Sequence, residues 1–134
     1  MRDILFRGKR LDNGVWIEGF FVEKKYPLLE SDVCSAFILA QHGDSFVWYP
    51  VDPSTVGQYT GLNDKNGEQI FEGDILTVDG EDGFFVLEFQ EDTARFVMSG
   101  DSIVVDFDNF WSCEVEVMGN IHDNPELLEG GEEE

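Results

Sequence analysis

Three glycines spaced six residues apart, Gly61, Gly67 and Gly73, fix the path of the main chain from Gln58 to Ile75, and no other stretch constrains the fold as much. Glycine costs least where φ must be positive or where backbones approach closely, so this spacing implies turns at set positions between two short apolar pieces. Asn63-Asp64-Lys65-Asn66-Gly67 reads as a tight polar turn, and Glu72-Gly73-Asp74 as the entry to a strand, Ile75-Leu76-Thr77-Val78. A Gly-Asp entry of this kind recurs in small SH3-like barrels, an analogy of fold that carries no function.

Upstream, Ile4 to Leu11 leads through Asp12-Asn13-Gly14 into Val15 to Val22. Asn-Gly suits two consecutive positive φ values, so a type I′ hairpin is expected. In its second strand Trp16, Phe20 and Val22 project to one side and Val15, Ile17 and Phe21 to the other, leaving both faces largely apolar. Lys24 to Cys34 lacks a period and reads as a connector. Ser35 to Ala40 and Phe46 to Tyr49 flank a five-residue loop, Gln41 to Ser45, as a second hairpin with His42 at its tip. Pro50 and Pro53 interrupt the pattern, and Asp52 to Thr55 is expected to form a turn or one helical turn.

The second half reads as an antiparallel meander. Gly80 to Gly83, Glu91 to Thr93 and Gly100-Asp101 separate Ile75–Asp79, Phe84–Phe89, Ala94–Met98 and Ser102–Phe107 at the short spacing of small barrels. A last strand, Cys113 to Gly119, alternates strictly, with Glu114 and Glu116 toward water and Val115 and Val117 inward. Asn124 as cap and Pro125 at the first helical position start a short turn over Glu126-Leu127-Leu128, whose leucines would plug one end of the barrel.

The expected fold is therefore mainly β: a small antiparallel, SH3-like, partly open barrel with an N-terminal hairpin lobe and at most one or two short helical turns. Residues 1–52 form the lobe and 53–128 the barrel core of a single domain, and 129–134 form an acidic flexible tail.

Several blocks, in order, resemble one family. Ile4-Leu5-Phe6-Arg7-Gly8-Lys9-Arg10, Val51 to Val56, Gly57-Gln58-Tyr59-Thr60-Gly61-Leu62, Asp64 to Gly67, Ile70 to Ile75 and Val117 to Leu128 are similar to the signature of the YopX family of phage and prophage proteins. The resemblance implies a β-rich, partly closed barrel encoded on mobile bacterial DNA, and it brings no catalytic residues. Its signature positions, Gly57, Tyr59, Thr60, Gly61, Leu62, Asp64, Gly67, Gly73, Asp74, Gly119, Asn120, Asn124 and Pro125, read as structural.

Charge narrows the function. Eight Lys and Arg against 29 Asp and Glu give a net charge of −21, which disfavours direct contact with nucleic acid or an anionic membrane. A basic protein suits such a field, and solubility explains it equally well. At 42% hydrophobic residues with twelve Phe and three Trp, the chain has ample material for a core. Cys34 and Cys113 lack ligand spacing and are expected to be small buried hydrophobes in a reducing bacterial cytoplasm. The charged start Met1-Arg2-Asp3 lacks the apolar run of a signal peptide, and no run reaches membrane-spanning length.

No catalytic, cofactor or metal residues are assigned. Asp106 with Asp108, or Glu114 with Glu116, could share a hard cation, but no nucleophile or base accompanies them. Asp79 to Gly83 lacks the spacing of a calcium loop, and Gly61 to Gly67 lacks that of a phosphate loop. Rings are the better candidates for recognition: Trp16, Phe20, Trp48, Tyr49, Phe110 and Trp111 either form the core of the lobe or, where exposed, a binding face or homo-oligomer contact. Trp16, Trp48, Tyr49 and Trp111 are taken as that surface. The favoured reading is a non-enzymatic accessory module that binds a host or phage protein; the alternatives are a metal-dependent enzyme acting on phosphate esters and a self-assembling structural protein.

Overall fold

A computed structural model of the 134-residue chain describes residues 5–26, 33–100, 103–108 and 113–130. The expected flexible tail, apart from its first two residues, and the rings Phe110 and Trp111 lie outside the described residues. The chain is mainly β, and among the described residues every strand pairing is antiparallel, in two sheets of which neither forms a closed barrel. It divides into two units, Met1–Gln58 and Tyr59–Glu134.

In the first unit β1 (Phe6–Lys9), β2 (Trp16–Tyr26), β3 (Val33–His42) and β4 (Ser45–Val51) follow one another as hairpins. A turn of 3-10 helix, Pro53–Thr55, leads to β5 (Gly57–Asn63), whose first two residues pair with β1. Asp52 caps that turn by accepting from the Ser54 amide at 3.0 Å, and proline stands at its start, where a missing N–H costs nothing. The ends of β4 and β1 meet at an Arg10–Val51 bridge, with the Asp52 amide donating to the Lys9 carbonyl at 2.9 Å. The sheet thus curls over a core of Ala36, Ile38 and Val51, against which Phe6, Ile17, Phe21 and Val56 pack.

Four expectations in this unit are corrected. The first turn is not type I′: only Gly14 has positive φ, and the Gly14 amide reaches back to the Arg10 carbonyl at 2.9 Å while Asn13 Oδ1 accepts from the Val15 amide, a wider loop that needs one left-handed residue. The presumed connector is partly strand, since Lys24, Lys25 and Tyr26 pair with Ser35, Cys34 and Val33; ladder hydrogen bonds extend a hairpin whether or not its side chains alternate. The second hairpin closes on two residues, Gly43-Asp44, with positive φ on Gly43 alone, as a type II′ turn requires. Pro50 does not interrupt β4, because its carbonyl points away from β3 to accept from the Leu11 amide at 3.0 Å, so the absent N–H removes no bond to β3.

Arg10 also pins the first loop. Its Nη2 and Nε donate to the two carboxylate oxygens of Asp12 at 2.6 and 3.0 Å, and this hydrogen bonding holds the Asp12 carboxyl below the ordinary aspartate range. A depressed folded value contributes stability above the unfolded pKa, about 3.9, that is lost as pH falls through the folded midpoint. In a carboxyl NMR titration Asp12 is expected to have a midpoint below about 3.9 that returns there in Arg10→Gln. An unchanged midpoint in that variant would show that the fork in the structure does not form in solution.

In the second unit the rest of β5 pairs with β6 (Gln69–Phe71) across a register shift. β7 (Asp74–Val78), β8 (Phe85–Gln90), β9 (Arg95–Ser99), β10 (Val104–Asp106) and β11 (Val115–Asn120) form a sheet of order β10-β9-β8-β7-β11. Its core is Ile70, Leu76, Val78, Phe85, Leu87, Met98, Phe107 and Val115. The last strand begins at Val115 rather than Cys113, a bulge between Val117 and Gly119 ends the expected strict alternation, and Glu114 and Glu116 are half-buried rather than fully in water. A short helix, α1 (Glu126–Gly130), follows, with Leu127 and Leu128 half-buried. Asn124 Oδ1 accepts from the Asn120 amide at 3.2 Å, while its carbonyl accepts from the Leu127 amide at 3.1 Å.

Candidate interaction surface

Directly opposed residues of antiparallel strands share a face. The registers Phe20↔Leu39↔Trp48, Val22↔Phe37↔Pro50 and Gln41↔Phe46 therefore place Trp16, Phe20, Phe37, Phe46 and Trp48 on the face of β2, β3 and β4 opposite the core. Phe20, Phe46 and Trp48 are 56%, 53% and 44% exposed, and Trp48 meets Phe37 edge to face at 5.8 Å between ring centroids. A surface of rings on consecutive strands, with its apolar area in water, is unusual for a face with no binding role. At one margin, Arg7 and Lys9 of β1 lie over the Trp16 ring at 4.6 and 5.5 Å from its centroid.

Of the four rings taken from the sequence as the surface, Trp16 and Trp48 share this face. Tyr49 is on the opposite face of β4, half-buried beneath the Arg10 guanidinium at 4.5 Å, with its hydroxyl 2.6 Å from His42 Nε2. Trp111 lies outside the described residues. Phe46 escaped the sequence reading because it was placed at the edge of a five-residue loop, whereas the tighter turn carries it into the ladder opposite Gln41. Cys113 is exposed rather than buried, since it occupies the turn before β11 and not a strand interior.

Charge is divided between the units. Residues 1–58 hold six of the eight Lys and Arg and eight of the 29 acids, a formal −2, while residues 59–134 hold the rest, a formal −19. The aromatic face thus belongs to the nearly neutral unit. In the acidic unit, Lys65 pairs with Asp79 at 2.7 Å and Arg95 with Asp106 at 3.2 Å. Among the described residues no three His, Cys, Asp or Glu side chains converge as metal ligands would, and no helix is long and apolar enough to cross a membrane.

The signature positions gather largely in the second unit. Gly61, Gly67 and Gly73 all have positive φ. Tyr59 donates its hydroxyl to Asn63 Oδ1 at 2.5 Å, and the Thr60 hydroxyl accepts from the Leu62 amide at 3.1 Å. Asp64, 6% exposed, accepts from the Asn66, Glu68 and Val117 amides, and Asp74, 1% exposed, accepts from the Phe71 amide at 2.7 Å. The second block meets the first: Asn120 pairs with Asp74, and the Ile121 amide donates to the Gly73 carbonyl at 2.9 Å. Asn120 Oδ1 then accepts from the His122 and Asp123 amides, closing the turn before Pro125.

Fold and surface define a class: an antiparallel β protein whose distinctive polar side chains are engaged with its own backbone and whose exposed rings form a sheet face. Its membership follows from comparison. The family model described as YopX protein matches residues 5–129, and the chain belongs to the YopX family. Among solved structures it is similar to the crystal structure of protein EF1440 from Enterococcus faecalis, at 23% identity and a TM-score of 0.58 over 96% of this chain and 99% of that one, a likeness of fold. Comparison with curated proteins gives no match.

Proposed function

We propose that the protein is a non-enzymatic binding module, a phage or prophage accessory protein of the bacterial cytoplasm that acts by contact with a host or phage protein. The observation that carries this reading is the exposed aromatic face of β2, β3 and β4. Rings supply large rigid contact area at small entropic cost and dominate protein interfaces. A near-neutral unit lets that face approach a folded protein surface without strong local repulsion, so the occupant is a protein with an apolar patch.

The test is affinity capture with the intact chain and a Phe20→Ser/Phe46→Ser/Trp48→Ser variant. One specific partner is expected for the intact chain, with affinity weakened on the order of 30-fold or more in the variant, the scale of losing an interface hot spot. Urea unfolding of the variant should remain cooperative with a folded baseline in water, so that lost capture reports on the face and not on folding. Equal capture by both would sink the proposal. A dimer in sedimentation velocity that the variant abolishes would instead assign the face to a second copy of the chain.

A further inference from the structure

The second unit has an open strand edge that the aromatic face does not explain. β8 pairs with β9 from Val86 to Gln90, but with β7 only at Phe85 and Val86. One further bond follows on that side, from the Gly73 amide to the Leu87 carbonyl at 2.7 Å, and the chain then turns away at Glu72. Backbone polar groups of alternate residues point the same way along a strand, so the Phe89 amide and carbonyl also point to this side. The far edge of β9 agrees. The Phe96 carbonyl accepts from the Phe107 amide at 3.0 Å, so the Phe89↔Phe96 pair exchanges no backbone bonds. No described residue pairs with the Phe89 backbone there. The edge opens into a groove of about 310 Å³, with Val86, Phe89 and Ile121 supplying apolar surface and Glu72 and Glu88 two carboxylates. Phe89, Ile121 and Glu88 are exposed, and Phe89 is braced edge to face by Phe96 at 5.1 Å.

We propose that this groove is a docking site for an extended, cationic segment of a partner protein, added as a strand beside β8. An open edge offers main-chain bonds, and pockets for alternate side chains supply selectivity. Here the main-chain partners are the Phe89 amide and carbonyl. An apolar side chain of the segment rests on Phe89 and Ile121, and a Lys or Arg meets the exposed Glu88 with its aliphatic stem over Val86. Charge selects this occupant over an anionic or neutral one: the unit carries a formal −19, and its two cations, Lys65 and Arg95, are paired with Asp79 and Asp106 and do not line the groove.

The probe is the peptide acetyl-Arg-Val-Arg-Val-Arg-Val-amide, titrated into the full chain while amide NMR signals and hydrogen exchange are followed. The Phe89 amide is expected to shift with saturation and to become protected from exchange. Glu88→Gln should weaken binding on the order of tenfold, and a peptide with Glu in place of Arg should not bind. The Phe20→Ser/Phe46→Ser/Trp48→Ser variant should bind the peptide as the intact chain does, which separates failure of this site from failure of the aromatic face. The proposal is overturned by shifts spread over the acidic surface without protection of Phe89, by undiminished binding in the Gln variant, or by absence of binding. Protection of Phe89 that is already present without peptide and rises with protein concentration would also overturn it, since a second copy then holds the edge.

Discussion

Asp64→Ala should cost about 3–5 kcal/mol of folding stability, because one buried carboxylate accepts from three backbone amides at once. Oδ1 accepts from the amides of Asn66 and Glu68, each at 2.8 Å, and Oδ2 from the Val117 amide at 2.9 Å. The first two bonds close the turn between β5 and β6. The third ties that turn to β11, 53 residues further along the chain. Hydrogen bonds to a charged acceptor contribute roughly 1.5–3 kcal/mol each, and the three share one group, so their sum overstates the loss. For a chain of this length the midpoint of thermal unfolding should fall by about 10–20 °C. Asp64→Asn divides the effect: its remaining oxygen can keep the turn amides while its NH2 faces the Val117 N–H, donor against donor. Hydrogen exchange should then accelerate at Val117 and change little at Asn66 and Glu68. Denaturant unfolding of Asp64→Ala within 1 kcal/mol of the natural chain would show that the turn and β11 are held by other means.

This arrangement shows what a sequence of this kind discloses and what it keeps back. The polar turn at Asn63 to Gly67 and the strand entry at Gly73-Asp74 were legible, since glycine and short polar side chains announce turns locally. The meander from Ile75 to Met98 was legible for the same reason, with turn residues falling between apolar runs. The partner of Asp64 was not. Val117 carries no mark of receiving a carboxylate, because the donor is its backbone N–H, which every residue but proline possesses. The same anonymity of backbone bonding concealed the continuation of β2 through Tyr26, where pairing persists without alternating side chains. The aromatic face was half legible: alternation placed Trp16, Phe20 and Val22 together, but which face met the core depended on the register with β3 and β4. A one-residue slip would have exchanged the two faces. Charge was misleading as a total, since −21 describes the second unit far better than the unit that bears the rings.

Gly19→Ala should be the most damaging glycine substitution in the first unit, though nothing in Glu18-Gly19-Phe20 signals a turn. A methyl group there would lie 2.3 Å from the Leu39 carbonyl oxygen and 3.0 Å from Ile38 Cγ2. Conformation is not the reason, as Gly19 has no positive φ; the requirement is space where β2 crosses from its pairing with β1 at Phe6 to its pairing with β3 at Leu39. Relief needs movement of β3 backbone, and overpacking of this kind costs typically 1–3 kcal/mol and more when the main chain must yield, so a loss of about 3 kcal/mol is expected. Gly119→Ala makes an informative comparison. Its methyl would lie 2.4 Å from Asn124 Oδ1, almost the same distance, but the amide group can swing away at the cost of its bond from the Asn120 amide, leaving Asn124 Cβ at 3.0 Å to yield by a few tenths of an ångström. That loss is about 1–2 kcal/mol. Gly19→Ala should also displace Leu39 from between Phe20 and Trp48, disturbing the aromatic face along with the core. Urea unfolding of the two variants side by side checks the order. Equal losses would mean that β3 gives way as readily as the Asn124 side chain, and the close approach of β2 to β3 would then not be what reserves position 19 for glycine.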